Sequence, residues 1–298
     1  MRQFISKNRK WFGYLLYCIA LTLFLLYYRF PSDAIYNYLK ITVNNLDTPL
    51  ILSVDRINPW LPLGLRLGNA EISLKNRQAL SIFRADSLLV RPEVWSFIKG
   101  KKKYWFECIA YEGDVRGSIY FTKQSVITPF NTEISVKGVQ IGSYENMKDL
   151  VGRQINGILH GTVFYTGQHQ NLIDGSGEAN IRLLNGSVEL LLPILSLDSI
   201  KFNEIAINMV LRKQMITIAR FELIGPMLKS TLSGTVGLKR QFANSTLNLR
   251  GTIEPFTALL KNAEGALGSL TLLRGRLRKG ALTFTLRGTI SKPKIKFI

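Results

Sequence analysis

Two periodicities divide the chain. From Trp11 to Tyr28, eighteen consecutive residues carry no charged side chain. From about residue 48 onward, apolar and polar side chains alternate. Leu282, Phe284, Leu286, Gly288 and Ile290 interleave with Thr283, Thr285, Arg287 and Thr289; Ile205, Ile207, Met209 and Leu211 follow the same rule. A period of two sends successive side chains to opposite faces, so these runs predict half-buried strands. Asn185-Gly186 and Gly175-Ser176-Gly177 read as turns between runs, as a meandering antiparallel sheet requires. At Gly68-Asn69 the phase slips: Leu65 and Leu67 give way to Ala70, Ile72 and Leu74, which predicts a β-bulge.

Helical spacing is confined to short stretches. Pro31-Ser32-Asp33 reads as a helix start with Ser32 as N-cap. Ile35, Tyr38, Leu39 and Val43 then repeat on one face, predicting an amphipathic helix over 31–46 that packs on the adjoining sheet rather than on a membrane surface. Pro92 to Lys99, Glu145 to Val151 and Pro255 to Leu267 are further short candidates. No long helical period alternates with the strands, which argues against a doubly wound α/β fold. The expected fold is mainly β: one N-terminal helix, then an elongated antiparallel sheet over 48–298 with a few short helices.

The first apolar run has the dimensions of a membrane span. Eighteen helical residues rise ~27 Å, close to the ~30 Å hydrocarbon core. Arg2, Lys7, Arg9 and Lys10 precede it. By the positive-inside rule residues 1–10 stay cytoplasmic, 11–28 form the anchor, and everything after Arg29 crosses. Trp11, Tyr14, Tyr27 and Tyr28 sit near its ends, where interfacial aromatics belong. The run closes in Tyr-Tyr-Arg-Phe-Pro, without the small residues of a cleavage site, so an uncleaved anchor is expected rather than a signal peptide.

A short pattern recurs at irregular spacing. Leu159 to Val163, Leu232 to Val236, Leu249 to Ile253 and Leu286 to Ile290 all read L-x-G-T-[V/I]. The leucine, the glycine and the β-branched residue share one face, so each copy removes a side chain from the apolar side. Two consequences stay open: the glycine lets a long sheet bend, or it widens a groove for an acyl chain. On the second reading Leu159, Val163, Leu232, Val236, Leu249, Ile253, Phe284 and Leu286 line that groove.

Charge and chemistry narrow the functions. The net charge is +19, from 39 Lys and Arg against 20 Asp and Glu. Lys101, Lys102 and Lys103 cluster between Trp95 and Trp105. Basic residues beside aromatics suit nucleic acid, but a translocated body does not meet it. Anionic headgroups, with the five residues as a membrane-surface contact, and a plain solvated turn remain. At the C-terminus Lys292, Lys294 and Lys296 alternate with Pro293, Ile295 and Phe297, and lysines on an edge strand block unwanted pairing. The two cysteines, Cys18 and Cys108, have no metal-binding spacing. The two histidines, His160 and His169, have no Cys, Asp or Glu at ligand spacing. No nucleophile elbow, P-loop or dinucleotide fingerprint is present, so no catalytic residue, cofactor or metal is expected and the chain reads as a non-enzyme.

Several stretches resemble a known family. Phe30-Pro31-Ser32-Asp33-Ala34 after the anchor, and Pro62 to Ile72, are similar to the N-terminal region of type II secretion system protein N in its AsmA-like form. Arg84 to Pro92 with Trp95 to Gly100, and Phe284 to Lys294, resemble further AsmA-like segments. The resemblance implies a strongly curved antiparallel sheet in the bacterial periplasm, anchored in the inner membrane by a single pass, with an apolar inner face. It further implies a phospholipid or other acyl-chain lipid as partner, or subunits of a type II secretion apparatus. At ~4.8 Å per strand, roughly 15 strands reach about 70 Å, which is short for crossing a whole periplasm.

Overall fold

The computed structural model describes residues 9–45, 50–61, 63–74, 77–121, 129–144, 146, 148–149, 152–168, 172–194, 197–255 and 281–298. The helices with described bounds are α1 (Arg9–Tyr28), α2 (Ser32–Asn45) and α3 (Val94–Ile98). Fifteen strands among the described residues make one sheet. They are β1 (Leu50–Ser53), β2 (Arg56–Trp60), β3 (Gly64–Leu74), β4 (Arg77–Pro92), β5 (Lys102–Ala110), β6 (Gly113–Phe121), β7 (Phe130–Gln140) and β8 (Ile155–Gly167). Then follow β9 (Ser176–Ile194), β10 (Leu197–Arg212), β11 (Met215–Ile224), β12 (Leu228–Gly237), β13 (Thr246–Pro255), β14 (Leu282–Thr289) and β15 (Pro293–Phe297).

The order is a meander. Every strand from β3 to β15 pairs antiparallel with its successor, and β1 and β2 both pair with β3 as two halves of one interrupted edge. Among the described strands the sheet does not close on itself, and β15 is its other edge. At ~4.8 Å per strand it extends about 65 Å.

α2 packs where the alternation begins. Ile35, Tyr36 and Leu39 lie against a buried cluster of Val54, Ile57, Leu67, Ala70 and Ala85. Tyr38, placed on this stripe by its spacing, is 69% exposed instead, and Val43 lies outside the described side chains. Ser32 is the first residue of the helix, not its cap: its hydroxyl donates to the Ile57 carbonyl at 3.0 Å, tying the helix to β2.

α1 presents exposed apolar side chains on all sides, among them Trp11, Leu16, Tyr17 and Phe24. The Leu23 and Leu26 side chains fall outside the description, and among the described residues no helix is long and apolar enough to cross a membrane. The expectation of a spanning anchor over 11–28 therefore rests on the sequence alone.

Two expected features take other forms. Asn185-Gly186 is not a turn but a bulge inside the 19-residue β9. Ile158 pairs with Leu184 and Asn156 with Ser187, so Asn185 and Gly186 together oppose Gly157. Asn185 adopts φ +49, which its short amide side chain tolerates. At Gly68-Asn69 the phase does change, since Leu67 and Ala70 are both buried. Yet Gly68 pairs with Ser87 and Ala70 with Ala85, so β4 changes phase with β3 and neither strand gains an unpaired residue. Gly175 does precede a strand; Ser176 and Gly177 are that strand's first residues. The short helix expected at Pro92 to Lys99 is α3, whereas the candidates at Glu145 to Val151 and Pro255 to Leu267 lie largely outside the described residues.

Candidate functional site

Antiparallel pairing with a period of two converts alternation along each strand into rows across the sheet. One row crosses it from edge to edge: Leu65, Val90, Phe106, Gly117, Ile134, Val163, Ala179, Met209, Ile218, Gly234, Leu249, Leu286, Ile295. Every member is apolar or glycine. The neighbouring row on that face runs from Leu67 through Leu88, Cys108, Val115, Val136, Gly161, Ile181, Ile207, Phe221, Leu232, Gly251 and Phe284 to Phe297. Between them on the opposite face lie Arg66, Leu89, Glu107, Arg116, Ser135, Thr162, Asn180 and Asn208. The sheet therefore has one greasy side and one largely polar side, the latter interrupted by the buried Leu89.

The eight candidate groove residues all fall on the greasy side. Val163, Leu249 and Leu286 belong to the first row, and Leu232 and Phe284 to the second. Leu159 and Ile253 share a flanking row with Leu183, Ile205, Leu223 and the polar Ser230. Val236 lies in the row of Ile216 and Leu247. Val236 and Leu249 are buried in a cluster with Leu238; the other six are half-buried. No second sheet covers this face among the described residues.

At Gly251, one of the four repeat glycines, the missing side chain does not widen the face. A Cβ on Gly251 would meet the Thr231 carbonyl, and the Phe284 ring lies 2.8 Å from that point. Phe106 sits over Gly117 and Phe202 over Gly186 in the same way, each Phe being the register partner of its glycine. The missing side chain admits a neighbouring ring, which fills the space.

At the end near α1 the face opens into an apolar cavity of about 390 Å³. Tyr27 and Phe30 line it with Trp60, Leu61, Leu63, Leu65, Val90 and Tyr104. Leu65 and Val90 are the first two members of the edge-to-edge row, so the cavity and the row are continuous. Burial, then the neighbouring Tyr38, raises the Tyr104 pKa, which keeps this wall neutral.

Next to it, the five residues expected to touch a membrane surface do not form one patch. Trp95, at 75% exposure, and Lys101 face solvent. Lys103 instead pairs with Glu93 at 3.3 Å and lies 4.2 Å from the Trp105 ring centre, and the Trp105 indole N–H donates to Glu93 at 3.3 Å. Lys102 pairs in register with Phe121 on the greasy side. The Lys103–Trp105–Glu93 cluster is a braced hairpin, with Glu93 held below its ordinary pKa first by the Ser96 hydroxyl.

The polar side carries its own hollow, about 600 Å³, lined by Lys137, His160, Asn180, Arg182, Glu204 and Glu222 among others. Several of its charges are paired: Arg182 with Glu204 at 3.9 Å, and Glu222 with both Arg220 and Lys229. The alternation places His160 there correctly; His169 lies outside the described residues. Among the described residues no group of three or more His, Cys, Asp and Glu is placed to hold a metal ion.

Comparison of the chain with protein-family models, with curated proteins and with solved structures finds no match.

Proposed function

We propose that this chain is a non-enzymatic, membrane-anchored scaffold whose apolar sheet face holds the acyl chains of phospholipids. The observation that carries the reading is the edge-to-edge apolar row, which begins in the cavity beside Tyr27 and ends at Ile295. An acyl chain laid along such a face gains ~0.8 kcal/mol per buried CH₂ without needing any directional contact. The uncharged run from Trp11 to Tyr28 supplies the anchor, with the basic N-terminus in the cytoplasm and the sheet in the periplasm of a bacterial inner membrane. The resemblance to AsmA-like proteins, including the type II secretion form, points the same way. Selectivity among lipids is loose in this reading, since the face offers area rather than hydrogen bonds.

The test is native mass spectrometry of the full chain purified in mild detergent. Phospholipid is expected on the wild type. It is expected to be lost from the double variant Val163→Asp, Ile207→Asp, which puts carboxylates into both rows, and kept by Thr162→Asp on the polar side. A wild type that carries no lipid overturns the reading.

A further inference from the structure

The far edge of the sheet carries an uncompensated cost. Arg287 of β14 and Lys294 of β15 are register partners, two cations directly opposite each other on the polar side. Like charges in that position destabilise a sheet. Lys296 follows two residues on, and Arg250 of β13 faces Thr285, the register partner of Lys296. Across β13 to β15 the acidic side chain is Glu254, which pairs in register with Lys229 at the other side of β13. Among the described residues none of Arg250, Arg287, Lys294 and Lys296 has an ion pair.

The backbone at this edge is also open. The Ile298 N–H donates to the Thr283 carbonyl at 2.9 Å, which fixes that pair as hydrogen-bonded. Alternation then makes Arg287 with Lys294 and Thr285 with Lys296 hydrogen-bonded pairs, and turns the Ile295 N–H and C=O away from β14. β15 has one neighbour among the described strands, and the Ile295 side chain is 44% exposed at the end of the apolar row.

We propose that β15 is a strand-addition site for an acidic, amphipathic extended segment of another protein, in which carboxylates alternate with apolar residues. Its carboxylates meet Lys294 and Lys296 and relieve the repulsion from Arg287. Its apolar residues prolong the greasy row past Ile295. Its backbone takes the outward groups of the edge. A second copy of this chain does not fit, because β15 against β15 sets lysine against lysine. The proposal concerns partner choice and is independent of lipid on the greasy face.

The experiment is fluorescence anisotropy on the full chain in detergent, with two labelled probes: a short peptide of alternating glutamate and valine, and its lysine and valine counterpart. The glutamate peptide is expected to bind and the lysine peptide not. Lys294→Glu with Lys296→Glu, which converts the Arg287 pair to an attractive one and so keeps the fold, is expected to weaken the glutamate peptide at least about tenfold and to admit the lysine peptide. Ile295→Pro removes the outward N–H while leaving the β14 pairing intact, and is expected to weaken the glutamate peptide as well. Failure of the glutamate peptide to bind, or binding unchanged by the lysine reversal or by the proline, overturns the proposal. Binding of phosphatidylglycerol vesicles in place of the peptide, with the same lysine dependence, overturns it too.

Discussion

The ring of Phe284 occupies the space that a side chain on Gly251 would need: the two are register partners on β14 and β13, and Cζ lies 2.8 Å from where a Cβ would sit. The glycine is thus a socket for the ring, and the two residues fail together. Gly251→Val drives a branched side chain into the Thr231 carbonyl and the ring at once. Overpacking of this kind costs about 1–3 kcal/mol. Phe284→Ala empties the socket; because Phe284 is half-buried, the loss falls below the ~3–5 kcal/mol of a fully buried phenylalanine. Thermal unfolding followed by circular dichroism checks both. The double variant is expected to lose less than the sum, since the two side chains share one volume.

Acid loosens the α3 hairpin before the rest of the sheet. The Glu93 carboxylate accepts from the Ser96 hydroxyl, from the Trp105 indole and from Lys103, which lowers its pKa from 4.5. A depressed pKa means that folding favours the charged form. The contribution is therefore complete above the ordinary value of 4.5 and disappears as pH falls through the lower, folded one. Hydrogen exchange at Ser96 and Phe97, whose N–H groups donate to the Glu93 carbonyl, reads this directly. Protection there is expected to drop on acidification relative to β8 and β9. In Glu93→Gln protection is expected to be weaker at neutral pH and insensitive to acid.

Cys108 is a packing residue and not a reactive thiol. It is 4% exposed between β4 and β6, and burial, followed by the Asp86 carboxylate, pushes its pKa up to about 11. A raised pKa on an acid means that folding favours the protonated form. Stability from this group is complete below its ordinary value of 9.0 and erodes as pH climbs from there toward 11. With Cys18 replaced by alanine, N-ethylmaleimide at pH 8 is expected to leave the folded protein unlabelled and to modify Cys108 only in denaturant. Labelling of the native protein at a rate near that of a free thiol contradicts the placement.

How far the sequence carried the fold follows from what alternation encodes. Period two in Ile205 to Leu211 and in Leu282 to Ile290 defines the greasy side, and the register of an antiparallel meander then brings Val163, Leu249 and Leu286 into one row without further information. Positions where strands gain a residue are less legible. Asn185-Gly186 has the chemistry of a two-residue hairpin turn, and only the length of β9 turns it into a bulge. Conversely, Tyr111-Glu112 and Lys213-Gln214 close tight turns with φ between 45° and 64°, using residues that give no turn signal. Tertiary contacts hold them there: the Arg84 N–H donates to the Tyr111 hydroxyl at 2.8 Å, and the Gln214 amide donates to Asp174 at 2.5 Å. Lys103 and Trp105 converge on Glu93, a contact that the spacing of the basic run does not encode.

The seat of α2 on the sheet decides how the N-terminal segment is held against the apolar cavity. Ser32 bonds to the Ile57 carbonyl, while Ile35 and Leu39 add apolar contact with the cluster around Ile57 and Leu67. The hydroxyl is partly buried, so Ser32→Ala removes one hydrogen bond and leaves a carbonyl to find water, at about 0.5–1.5 kcal/mol. Leu39→Asp is expected to cost more, because it puts a charge against an apolar cluster that offers it no partner. Limited proteolysis distinguishes a local effect from a global one. Both variants are expected to speed cleavage near residues 29–31, the leucine variant more, while β8 to β12 stay resistant. If cleavage there is no faster than in the wild type, α2 is held by something other than Ser32 and Leu39.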